Sequence, residues 1–139
     1  MDDLAICKAV RRRVVAATGI DPLISLKVMG ETFGNLNQPF WVEEHLVGGS
    51  PRTLTNRRTK ISSYLLQYDF NVPAGENMEV VERLAAAVEA EFDTDDPERQ
   101  KVTAAGYDLT VKKIAKSRSQ GTRISTLKLV LTLEALNKA

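Results

Sequence analysis

Apolar and polar residues alternate along two long segments of this chain, residues 61–72 and residues 124–133. Successive side chains of a strand point to opposite faces of a sheet, so a period of two predicts strands with one buried face. The first segment is predicted to bury Tyr64, Tyr68 and Phe70, and the second to bury a series of leucines. Residues 39–47, 107–116, 101–104 and 23–28 have weaker strand patterns.

Two other segments repeat apolar residues at the spacing of an amphipathic helix. Asp2 or Asp3 can cap the first helix, and Gly19 is expected to end it. The second helix follows a corner at Pro73 and Gly75, where a proline cannot continue the strand ladder. The predicted apolar stripes are Leu4, Cys7, Val10, Val14 and Ala17 in the first helix, and Met78, Val81, Ala85, Val88 and Phe92 in the second.

Together these elements predict an α+β fold in one domain that spans residues 1–139. The predicted order is α-β-β-α-β-β, with an antiparallel-rich sheet of four to five strands and both helices packed on one face. The segment GGSPRTLTNRRTK, residues 48–60, is predicted to be a basic loop between two strands. The three arginines at positions 11–13 splay around the first helix, so we expect solvated charge there rather than a phosphate site.

Composition places the chain among soluble globular proteins, with 43% hydrophobic and 27% charged residues in 139. The longest apolar runs are far shorter than the roughly twenty residues that a membrane helix needs. The N-terminus lacks the basic start and apolar stretch of a secretion signal. One cysteine, Cys7, cannot form an intrachain disulfide, which suits a reducing compartment.

The charges are unevenly distributed, although the net charge is only +1. Nine acids and one base occur in residues 76–98, whereas eight bases and one acid occur in residues 99–128. Such a dipolar surface suits head-to-tail contact between copies, or contact with two different partners.

No catalytic or metal-binding motif is evident. His45, the sole histidine, shares a predicted strand face with Glu43, but zinc needs three or four ligands and no Cys/His cluster supplies the others. The glycine-rich segment that begins at Gly48 lacks the lysine of a phosphate loop. The basic segments NRRTK and KKIAKSRSQGTR could bind nucleic acid, but no aromatic residues are interleaved with them. We therefore expect no enzyme, metal or cofactor.

The layout resembles that of the tail terminator proteins of long-tailed bacteriophages, over about residues 4–136. The resemblance rests on a leading helix, a strand that begins QPFWVEEHL, a basic loop, the strand-to-helix junction LLQYDFNVPAG, an acidic helix ending at Phe92 and a closing hairpin. It implies a small structural subunit of a virion, encoded by a phage or prophage. In that family such subunits form a hexameric ring that caps the tail tube, stops its polymerisation and joins the head.

The resemblance implies particular partners and locations. Partners would be further copies of the chain, the tail tube protein and a head-completion protein, without membrane or specific nucleic-acid binding. The subunit could be monomeric in isolation. It would occupy the host cytoplasm during assembly and the virion tail afterwards. Two alternatives remain open beside it: a head-closure or connector protein of the same neck, and a nucleic-acid-binding α/β module. A small enzyme is a third, and it would need a concave polar site.

Charge and resemblance together predict an interface between neighbouring subunits of the ring. Its acidic patch would meet a basic patch of the adjacent copy. The acidic residues are Glu89, Glu91, Asp93, Asp95 and Asp96; the basic residues are Lys113, Lys116, Arg118 and Arg123, with Arg57, Arg58 and Lys60 as an alternative basic patch.

Overall fold

A computed structural model describes residues 3–20, 26–27, 40–53, 60–75, 78–104 and 107–137 of the chain. The first helix, α1, spans Asp3–Thr18. Gly19 ends it with a positive φ of 70°, and its N–H donates to the carbonyl of Val15 at 2.8 Å. Glycine adopts this left-handed conformation without strain, so the predicted helix end is confirmed.

The described strands are β1, Leu26–Lys27; β2, Trp41–Thr53; β3, Lys60–Pro73; β4, Lys101–Ala104; β5, Tyr107–Gln120; and β6, Ile124–Asn137. They form one sheet in the order β1-β2-β3-β6-β5-β4. Strands β2 to β6 pair in antiparallel fashion, whereas β1 contributes two residues that pair with β2 in parallel. The antiparallel-rich sheet of an α+β fold is therefore confirmed.

The predicted loop at residues 48–60 is wrong in its first part, because β2 continues through it to Thr53. A register shift between Gly48 and Ser50 marks a bulge, after which Pro51 pairs with Ser62 of β3. A bulge accommodates one unpaired residue without ending the ladder, and glycine is well suited to such a position. Glycine and proline therefore mark an irregularity within this strand rather than its end. Residues 54–59 lie outside the described residues.

The core lies on one face of the sheet and follows the predicted alternation. Tyr64, Leu66, Tyr68 and Phe70 of β3 are at most 2% exposed, and the alternate residues of β3 between them are partly or largely exposed. Leu127, Leu129, Leu131 and Leu133 of β6 are fully buried beside them. The buried face of both long strands is thus confirmed.

Helix α2 spans Glu79–Glu91 and buries Val81, Ala85 and Val88 in this core, as its apolar spacing predicts. Helix α1 contributes Ile6, Cys7, Val10 and Val14 to the same cluster of buried residues. The predicted order of six elements omits a short helix α3, Pro97–Gln100. Strands β1 and β4 lie within the weaker strand patterns at residues 23–28 and 101–104, which they confirm. Among the described residues, no helix is long and apolar enough to cross a membrane.

Candidate interaction surface

Two ion pairs join helix α2 to strand β5. Arg118 of β5 donates from Nε and Nη2 to the two carboxylate oxygens of Glu82, with the Nη2–Oε2 distance 2.8 Å. Lys116 precedes Arg118 by two residues on the same strand, and its Nζ lies 3.2 Å from Glu89 Oε1. The Arg118 hydrogen bond lowers the pKa of Glu82 below its ordinary value. These pairs hold the helix against the strand within one subunit.

The structure therefore distributes the predicted interface residues among different environments. Lys116, Arg118 and Glu89 are engaged inside the subunit, and Glu91 pairs with Arg13 at 2.9 Å. Asp96 caps α3 by accepting from the backbone N–H of Glu98, and it also approaches Arg99. In the turn between α2 and α3, the Asp93 carboxylate accepts a hydrogen bond from the N–H of Asp95. That these predicted residues form an interface between subunits remains a prediction.

Three predicted residues are exposed and form no ion pair in the described part of the chain: Asp95, Lys113 and Arg123. Arg123 lies in the β5–β6 turn, where its carbonyl accepts from the N–H of Ala74. Lys113 lies on β5 opposite Thr132. Arg57 and Arg58 lie outside the described residues, and Lys60 begins β3.

Arg13 links the carboxyl end of α2 to α3 and β4. Its guanidinium lies 4.5 Å from the centre of the Phe92 ring and pairs with the Glu91 carboxylate. It also donates to three backbone carbonyls, those of Glu91 and Arg99 at 2.9 Å and that of Lys101 at 2.5 Å. Carbonyls at a helix end lack intrahelical partners, so the arginine satisfies groups that would otherwise need water. The expectation of solvated charge at Arg13 is wrong.

Replacing Arg13 by lysine should lower the free energy of unfolding by about 1–3 kcal/mol, although the charge is retained. An ammonium group cannot reproduce the planar fork that reaches three carbonyls and stacks on Phe92. A urea titration measures the loss. Arg12→Lys is the matched control, because Arg12 is exposed and should change stability by less than about 0.5 kcal/mol. Equal effects at the two positions would contradict this role for Arg13.

Arg11 forms a buried network with Glu44 and Tyr68. Arg11 Nε and Nη2 donate to the Glu44 carboxylate at 3.1 and 2.6 Å, and the Tyr68 hydroxyl donates to Glu44 Oε2 at 2.8 Å. The Glu44 side chain is fully buried and that of Arg11 is 19% exposed. Burial, followed by the nearby Glu44 charge, raises the pKa of Tyr68 well above its ordinary value. The hydrogen bonding that Arg11 donates to Glu44 raises the pKa of Arg11.

The prediction of solvated charge is therefore wrong for Arg11 as well. Two signals in the sequence could have indicated the network. Glu44 shares a strand face with Phe40, Val42 and Leu46, and Arg11 lies four residues after Cys7 on the apolar side of α1. An acid and a base that each interrupt an apolar face are candidates for a buried pair.

Comparison with known proteins identifies this arrangement of strands and helices in other chains. No family model matches the sequence, and no curated protein matches it. Among solved structures, one protein whose description names no function superposes with a TM-score of 0.70 at 16% identity, covering 100% of this chain and 99% of its own. A chain from the virion of a native gene transfer agent particle superposes with a TM-score of 0.57 at 12% identity, covering 94% of this chain and 93% of its own.

At these identities the two likenesses establish the fold. Each extends over nearly the whole of both chains, so the shared unit is the complete arrangement of α1, the sheet and α2 rather than a recurrent hairpin. The second neighbour is a component of an assembled particle.

Proposed function

We propose that this chain is a structural subunit of a phage-like virion, of the tail terminator type. The observation that carries the proposal is the match over more than nine-tenths of both chains to a protein from a gene transfer agent virion. The resemblance of the sequence to tail terminators rests on different observations and indicates the same class of particle. The proposed role is structural and non-enzymatic.

In this proposal the subunits form a hexameric ring that caps the tail tube, stops its polymerisation and offers a surface to the head. The partners are other copies of the chain, the tail tube protein and a head-completion protein. No cofactor is involved. The subunit assembles in the host cytoplasm and is then part of the virion tail.

The charges left unpaired inside the subunit support a head-to-tail contact between neighbours. Lys113 presents positive charge from β5 and Arg123 from the β5–β6 turn, and Asp95 presents negative charge after α2. A cyclic assembly brings two different patches of adjacent copies together, so these groups can meet. Exposed pairs contribute little energy individually, and they therefore set the register of the ring more than its affinity.

The function is tested by adding the purified subunit to tail tube protein during polymerisation. We expect tubes of limited length with a density cap at one end in electron micrographs. Uncapped tubes of unchanged length would overturn the terminator role. A subunit that binds finished head connectors but not tube ends would indicate the head-closure protein instead.

The intersubunit contact is tested by reversing the charges that form no ion pair within the described part of the subunit. Lys113→Glu with Arg123→Glu should leave a folded subunit that caps fewer tubes, by about tenfold or more, because like charges then face each other in the ring. Adding Asp95→Lys should restore part of the capping. Asp93 is left unchanged because its carboxylate holds the turn.

Lys8→Glu with Arg12→Glu is the matched control, since it makes the same change in net charge on the exposed side of α1. Both double variants should show the far-ultraviolet circular dichroism of the parent protein. Normal capping by the Lys113/Arg123 variant would exclude this contact. Salt-sensitive DNA binding that only this variant loses would favour the nucleic-acid-binding alternative.

A further inference from the structure

We infer that Glu43, His45 and Asp69 form a binding site for a divalent transition metal ion of the zinc class. The three side chains lie on the face of the sheet opposite the core, on the adjacent strands β2 and β3. This inference is independent of the proposed function.

Strand register brings the three groups together. Glu43 and Asp69 are directly opposite each other in the antiparallel pair β2–β3, and His45 follows Glu43 two residues along the same face. Like charges directly opposite each other destabilise a sheet. A cation bound by both carboxylates would offset this repulsion, together with Lys27 and Lys128, the strand partners of Glu43 and Asp69 on their other sides. The side chains are 28%, 47% and 15% exposed for Glu43, His45 and Asp69, so an ion can reach them from solvent.

The distances suit a common metal ion. His45 Nε2 lies 3.5 Å from Asp69 Oδ2 and 3.8 Å from Glu43 Oε2, and one ligand atom from each residue lies within 4.8 Å of the others. Ligands at about 2.0–2.2 Å from a tetrahedral zinc ion are separated by about 3.3–3.6 Å. The His45–Asp69 distance falls in this range, and the His45–Glu43 distance is slightly above it.

A neighbouring side chain holds one ligand in place. Gln67, which pairs with His45 across the strands, donates from Nε2 to Asp69 Oδ1 at 2.9 Å. This hydrogen bond occupies the carboxylate oxygen that does not face His45, as the outer partners of metal ligands commonly do. Lys128 of β6 is the strand partner of Asp69 on its other side, and its positive charge would compete with the ion.

The ligand set selects among metals. One imidazole nitrogen with two carboxylates suits zinc and related transition ions, whereas magnesium and calcium prefer oxygen ligands alone. Three protein ligands leave a position for water, so binding should be weaker than at a closed structural site. The sequence alone could not indicate that Asp69 lies beside Glu43 and His45, because this proximity depends on the register between β2 and β3.

Zinc titration of the untagged protein, followed by NMR, tests the inference. His45 is the only histidine, so its imidazole signals are unambiguous. We expect saturable shifts of these signals at one equivalent of ZnCl2, and none with MgCl2. Asp69→Asn should raise the apparent dissociation constant about tenfold or more, and Gln67→Ala should raise it by a smaller factor. Glu98→Gln, a distant exposed carboxylate, should leave it unchanged.

Two results would overturn the metal site. One is the absence of any His45 shift at millimolar zinc, which would show that the three side chains meet without binding the ion. The other is unchanged zinc affinity in His45→Asn by calorimetry, which would place the bound ion elsewhere. The outward position of all three residues keeps the variants testable, because none contributes to the hydrophobic core.

Discussion

Replacing Arg11 by alanine is expected to lower the free energy of unfolding by about 3–5 kcal/mol. The change removes two hydrogen bonds to Glu44 and leaves a fully buried carboxylate with the Tyr68 hydroxyl as its remaining side-chain donor in the described part of the chain. A buried charge without a partner destabilises the folded state by more than the intact ion pair stabilises it. Removing one partner therefore has a large effect on stability. Urea titration at neutral pH measures the loss.

A double-mutant cycle separates this cost from the loss of arginine packing. Glu44→Gln in the Arg11→Ala background removes the stranded charge while keeping the shape of the side chain, so it should recover about 1–3 kcal/mol. In the parent background the same substitution should destabilise, because Arg11 then lacks its carboxylate. Arg12→Ala is the control, and it should change stability by less than about 0.5 kcal/mol. Additive effects of the two substitutions would show that Arg11 and Glu44 are not coupled.

Helix and strand positions were predictable where each element carries its own periodic signal. The leucines of β6 and the aromatic residues of β3 alternate over a whole strand, so their burial follows from local geometry. The same is true of Val81, Ala85 and Val88 in α2. The continuation of β2 past Gly48 was not predictable, because pairing with β3 stabilises a segment whose own composition favours a turn.

The charged contacts were not predictable in the same way. Arg11 and Glu44 are separated by 33 positions, and Arg13 and Glu91 by 78. Such pairs depend on how helices cross the sheet, which periodicity does not specify. The sequence indicates a dipolar chain, yet much of that charge is neutralised inside the subunit, as between Arg118 and Glu82. Runs of like charge in the sequence therefore overestimate the surface charge that is available to a partner.

This redistribution changes which residues should be tested for assembly. Reversing Arg118 would break its contact with Glu82, so a defect in capping could come from displacement of α2 rather than from a lost neighbour. Lys113 and Arg123 do not have this ambiguity in the described structure. The same reasoning separates the metal site from assembly, because its residues lie on β2 and β3 rather than on β5 and the β5–β6 turn.

Leu66→Ala should destabilise the protein by about 2–5 kcal/mol, whereas Leu65→Ala should cost less than about 1 kcal/mol. The two leucines are consecutive in β3, so the chemical change and the strand propensity are matched. Leu66 is fully buried between Leu46 and Leu131, and its truncation leaves a cavity in the core. Leu65 points to the opposite face and is 43% exposed, so water can fill the space that its side chain leaves.

Chemical unfolding of both variants, with the parent protein in the same series, gives the comparison. The slope of the unfolding free energy against urea should stay the same, so that midpoints report stability directly. Similar losses at the two positions would mean that the outer face near Leu65 is covered in solution. In a ring-forming subunit such cover would come from a neighbouring copy, and the loss at Leu65 would then grow with protein concentration while the loss at Leu66 would not.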